Sequence, residues 1–63
     1  MNYQLTIREI DLLLFIISGY ENAHIAENLF ISVNTVKYHT RNLYEKLDVK
    51  SRAELTSIFI KLD

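Results

Sequence analysis

At 63 residues, 49% hydrophobic and 24% charged, the chain has room for one packed core and no second, and its balance lies far from the highly charged, weakly hydrophobic signature of disorder. It holds no cysteine, which excludes a disulfide framework and thiolate metal sites and fits a reducing cytoplasm. Nothing resembles a signal peptide, and the apolar run Leu12 to Ile17 is far short of the roughly 20 residues that cross a bilayer. The net charge of −1 is not what a nucleic-acid binder advertises, but it is unevenly spread. Residues 1–31 set Arg8 against Glu9, Asp11, Glu21 and Glu27, whereas Lys37, Arg41, Lys46, Lys50, Arg52 and Lys61 all lie downstream.

Thr6-Ile7-Arg8-Glu9 has the spacing of a capping box, so a first helix starts at Ile7. Ile10, Leu13, Leu14 and Ile17 follow at i, i+3, i+4 and i+7, and Gly19 stands where a left-handed cap ends a helix over about 7–18. Asn22 is a suitable N-cap for a second helix over about 22–29, with Ile25, Ala26 and Leu29 inward. Ser32 caps a third over about 33–47, in which Val36, Leu43 and Leu47 recur at helical spacing. Ser51-Arg52-Ala53-Glu54 repeats the capping-box spacing and opens a fourth over about 52–62, with Leu55, Ile58, Phe59 and Leu62 at apolar positions. With no proline and no strand alternation, the expected fold is an all-α, four-helix single domain spanning 1–63. Helices 2 and 3 are joined only by Phe30-Ile31-Ser32, too short for an antiparallel pair, which predicts a helix-turn-helix over about 22–41 and leaves helix 3 protruding.

At about 100° per residue, helix 3 gathers Val36, Thr40, Leu43 and Leu47 on one side and Asn34, Lys37, Tyr38, Arg41 and Glu45 on the other. Lys37 and Arg41, one turn apart, have the donors that read guanine O6 and N7 in a major groove, and Tyr38 between them suits a thymine methyl or a phosphate. Thr35, His39, Asn42 and Lys46 fall on the flank, where a helix in a groove meets the sugar-phosphate wall. Lys50 and Ser51 sit at the next helix start, where free amides attract anions. Periodicity alone does not separate such an interface from an ordinary solvated helix face.

A resemblance does. The pattern Leu5-Thr6-x-Arg8-Glu9, then Gly19-x-x-Asn22-x-x-Ile25-Ala26-x-x-Leu29-x-Ile31-Ser32-x-x-Thr35-Val36-Lys37-x-His39, then Lys46-Leu47-x-Val49-x-Ser51-Arg52-x-Glu54 closely resembles the LuxR/GerE helix-turn-helix family over nearly the whole chain. The segment 41–47 also resembles the DNA-binding end of MalT-type activators and of response regulators. The resemblance implies a sequence-specific DNA-binding transcriptional regulator of bacterial type. In it, Lys37, Tyr38 and Arg41 read bases, and Thr35, Asn42 and Lys46 meet phosphates. Helix 4, through Leu55, Ile58, Phe59 and Leu62, pairs two copies on double-stranded DNA, with RNA polymerase as a further partner and an upstream signal domain common in the family.

Three positions depart from the family pattern. Phe30 and Asp48 stand where Gly is common, which asks packing of the Phe30 ring to offset its backbone strain, and Glu21 replaces a small polar residue where it would repel a phosphate. No enzyme is expected. His24 and Glu27 share a helix face without a nucleophile or second carboxylate, and His39 lacks partners at metal-ligand spacing, so no cofactor or metal is assigned. Arg8, Glu9 and Arg52 read as a structural ion-pair group orienting helix 1 on helix 4. The rival function is a helical protein-interaction module that keeps the fold and docks a partner through helix 4 or the acidic first half.

Overall fold

The computed structural model describes residues 4–60. Four helices follow in order, α1 (Ile7–Ile17), α2 (Asn22–Leu29), α3 (Val33–Leu47) and α4 (Arg52–Ile60). The described residues contain no strand, and no helix among them is long and apolar enough to cross a membrane. α3 lies at the centre, packed on both α1 and α2, and α4 packs on α1. Leu12, Ile16, Ile25, Ala26, Val36, Leu43, Val49 and Leu55 form the buried core.

Capping fixes where these helices begin. Thr6 and Glu9 form the full reciprocal box, the Glu9 amide donating to Thr6 Oγ1 at 3.1 Å and the Thr6 amide to Glu9 Oε1 at 2.9 Å. Ser32 accepts from the Thr35 amide at 3.1 Å and starts α3. At α4 the Glu54 amide donates to Ser51 Oγ, but the Glu54 carboxylate accepts from the Lys50 amide at 2.7 Å rather than closing on Ser51. α2 differs from expectation: Glu21 occupies the N-cap without a side-chain hydrogen bond, and Asn22 is the first helical residue.

The ends of α1, α2 and α3 share one device. Gly19, Phe30 and Asp48 adopt left-handed φ values of 90°, 59° and 58°, and each next residue sends its amide back across the last turn. Tyr20 donates to Phe15 O, Ile31 to Ala26 O and Val49 to Tyr44 O, at 3.0, 3.1 and 3.0 Å. An apolar residue after the left-handed position then seals the helix end. Tyr20 does so against Phe15, ring centroids 4.9 Å apart, and Val49 by burial in the core.

Only the first of these ends uses glycine. Asp48 tolerates the conformation well, whereas Phe30 does not, and the residue is 93% exposed. The packing expected to offset its strain is therefore absent. Phe30→Gly is expected to raise the unfolding free energy by about 1 kcal/mol, read from the midpoint of urea unfolding; a lower midpoint would show that the ring has a partner in solution.

Two expectations about packing are corrected. The inward side of α1 is Glu9, Leu12 and Ile16, while Ile10 and Leu14 are exposed with Ile7 in a row on the opposite side. Arg8 and Asp11 point the apolar stripe of α1 toward Ile10, Leu13 and Ile17, and packing overrides that spacing to bury the side of Glu9. The proposed ion-pair group also divides differently. Glu9 pairs with Lys46 of α3, and Arg52 donates to Tyr20 O at 2.6 Å and to Asn22 Oδ1 at 3.4 Å, tying α4 to the turn between α1 and α2.

Candidate nucleic-acid interface

α3 divides by side. Val36 and Leu43 are fully buried and Leu47 half-buried, which fixes the helix against α1 and α2. Thr40 lies beside them with a buried hydroxyl that has no hydrogen-bond partner. The fixed inward side leaves Asn34, Lys37, Tyr38, Arg41 and Glu45 exposed on the outward one. Lys37, Tyr38 and Arg41 thus share one solvent-facing surface, with Tyr38 60% exposed and its ring edge-on to His39, centroids 5.5 Å apart. Val33, 38% exposed in the first turn, adds an apolar spot near the start of the helix.

The charge along this surface is directional. Lys37 lies in its second turn and Arg41 at the start of its third, with the neutral Asn34 and Tyr38 beside them, and Glu45 closes its far end. A polyanion therefore meets its most favourable surface around Lys37 and Arg41, ahead of Glu45.

The flank residues behave less uniformly. Thr35, His39 and Asn42 are half-buried, and the Thr35 hydroxyl lies 2.9 Å from Ser32 Oγ, already within a hydrogen bond. His39 and Asn42 line an open groove with Tyr38, Lys46, Thr6 and Glu9, between the start of α1 and the side of α3. Lys50 and Ser51 are exposed, but they lie beyond the C-terminal end of α3 rather than on its outward side. The Lys50 amide is taken by Glu54, which leaves its ammonium group as the free donor there.

Lys46 departs most from its expected role. Its Nζ lies 2.8 Å from Glu9 Oε1 and 3.3 Å from Gln4 O, and the Glu9 side chain is almost wholly buried. Burial pushes the Glu9 carboxyl up, but hydrogen bonds from Lys46 and Thr6 and the nearby ammonium charge outweigh it and hold the group below its ordinary value. Stability from this carboxylate is complete above the ordinary glutamate value of 4.5 and is lost as pH falls through the lower folded value. Acid titration of the unfolding midpoint should show that loss, and Glu9→Gln should remove part of it. An acid transition unchanged in Glu9→Gln would contradict the pairing. No spacing rule could have found a contact between residues so far apart in sequence.

The helix 4 pairing residues separate into different environments. Leu55 is 0% exposed and belongs to the core, so its assignment to a dimer surface is corrected: burial leaves it no face for a second copy. Ile58 is 44% exposed and Phe59 half-buried against the core. Leu62 lies outside the described residues.

Comparison with known proteins agrees with this architecture. Residues 3–59 match the family model of bacterial regulatory proteins of the luxR family, GerE. A probable transcriptional regulatory protein, SgaR, of Hyphomicrobium methylovorum is 44% identical over 59 residues, covering 94% of this chain and 28% of that protein. The oxygen regulatory protein NreC of Staphylococcus haemolyticus is 46% identical over 54 residues, 86% of this chain and 25% of its own length. A nitrate/nitrite response regulator protein homolog of Haemophilus influenzae is 49% identical over 57 residues, 90% and 27% respectively. The chain thus spans about a quarter of the length of these curated relatives. No solved structure matches significantly. With its four helices and its matched span of residues 3–59, the chain belongs to the luxR family of bacterial regulatory proteins.

Proposed function

We propose that the chain is a sequence-specific DNA-binding domain that regulates transcription, with α3 entering the major groove. The observation that carries this reading is the outward side of α3, where Lys37, Tyr38 and Arg41 stand exposed together while Val36 and Leu43 anchor the helix from behind. Lys37 and Arg41 bond guanine edges, Tyr38 makes apolar or hydroxyl contact, and Thr35, His39, Asn42, Lys50 and Ser51 meet the backbone. Family membership and relatives named as transcriptional and response regulators support it. A regulator of this kind performs no catalysis and acts in the cytoplasm, where its DNA is.

Two copies place α3 in successive major grooves, on half-sites about one helical turn apart. Ile58, an exposed large apolar residue of α4, is the centre of the pairing surface, with Phe59 behind it. RNA polymerase is the partner through which a DNA-bound regulator would act.

The exposed row Ile7, Ile10 and Leu14 on α1 favours the alternative, a protein-interaction module. Titration against duplex DNA of random sequence at two salt concentrations separates the two. A DNA-binding domain binds at low salt and weakens steeply at high salt through counterion release. No binding at low salt would leave only the protein-interaction reading.

A further inference from the structure

The Lys46 charge expected on a phosphate is already engaged by a buried carboxylate, although its side chain remains 36% exposed. Lys46 Nζ bonds Glu9 Oε1 at 2.8 Å, and the same oxygen accepts from the Thr6 amide at 2.9 Å. That oxygen therefore joins the first turn of α1 to the last turn of α3. Glu9 is 3% exposed, so its carboxylate cannot turn out to water and leave Lys46 free without carrying an unpaired charge through the core edge. The ammonium also donates to Gln4 O, gathering the segment that leads into α1.

Resting on the DNA reading above, we infer that Glu9 and Lys46 are a positioning pair for recognition rather than an acid and a phosphate ligand. The buried carboxylate fixes the C-terminal turn of α3 against α1 and so sets the angle at which Lys37, Tyr38 and Arg41 are presented. No other ion pair among the described side chains joins α3 to a neighbouring helix. The apolar contacts of Val36 and Leu43 resist separation of the helices but are less directional than a hydrogen-bonded ion pair.

Salt dependence distinguishes the two roles. Each phosphate neutralised by a lysine contributes about 0.9 to the slope of log K against log salt, whereas a residue that orients a helix contributes nothing to it. The experiment measures binding of the whole chain to a duplex selected by the unaltered protein from a random pool, across a salt series, with folding checked by circular dichroism. The variants are Lys46→Met, Lys46→Arg and the double variant Glu9→Gln with Lys46→Met. The double variant keeps the net charge and strands no buried carboxylate, so it carries the test even where Lys46→Met fails to fold.

The expected result is a loss of about tenfold in affinity for Lys46→Met and the double variant, with the salt slope of the unaltered chain in both and recovery in Lys46→Arg. A slope lower by about one unit in the double variant, or affinity unchanged by it, would overturn the inference. Failure of the unaltered chain to bind any duplex at low salt is a different result. It would overturn the DNA reading itself and this inference with it.

Discussion

Leu55→Ala is expected to lower the unfolding free energy by about 3 kcal/mol, the usual range for truncating a buried leucine being about 2–5 kcal/mol. Leu55 is fully buried in the core to which all four helices contribute, and removing three heavy atoms leaves a cavity that a close-packed interior cannot refill. A chain this size has only some 3–9 kcal/mol of stability in total, so the variant should be partly or wholly unfolded at ambient temperature. Ile58→Lys, three residues on, is expected to change stability by less than about 0.5 kcal/mol, because the side chain is already 44% exposed and surface substitutions cost little. Its effect should appear instead as loss of the two-copy complex on DNA, read from band stoichiometry or sedimentation. Urea unfolding of both variants checks the pair. Equal stability losses would place Ile58 in the core, and a stable Leu55→Ala would contradict its burial.

The second large effect belongs to Arg41. A bidentate contact to a base pair is worth about 1–3 kcal/mol of discrimination, so Arg41→Ala should reduce the preference for a selected site over a scrambled one by roughly 5- to 150-fold, with a much smaller change on the scrambled duplex. Lys37→Ala should act in the same sense at a neighbouring base pair, because the two side chains stand one turn apart on the exposed side of α3. Competition binding with site and scrambled duplexes at one salt concentration measures this. Equal losses on both duplexes would reassign Arg41 to the backbone.

Where local chemistry decides, the structure follows the sequence closely. The Thr6/Glu9 box, the Ser32 cap and the left-handed Asp48 are governed by residues within four positions of one another, and each forms as its residue types require. The outward and inward sides of α3 were equally legible, because its polar and apolar residues separate cleanly by angle. α1 was not. Its polar residues Arg8 and Asp11 point the apolar stripe toward Ile10, Leu13 and Ile17, and tertiary packing instead buries the side that places Glu9 beside Lys46.

The same limit applies to single residues. Asn22 has the chemistry of a cap, but the chain enters α2 one residue earlier, and Asn22 instead meets Arg52. Leu55 and Ile58 are both apolar residues of α4, and only three-dimensional packing sends one inward and leaves the other out. The Phe30 ring reads as a packing residue and is exposed, since the left-handed turn directs it away from the core. The candidate site was therefore legible as a surface of α3, but the internal commitment of Lys46 was not.

The measurement that tests the central claim most directly is selection of the chain on a random double-stranded DNA pool, followed by sequencing of what is retained. A domain that reads bases through α3 predicts enrichment of a related set of sites, with guanines in each half-site for Lys37 and Arg41 and half-sites about one helical turn apart. A retained pool with the same base composition as the input would contradict it.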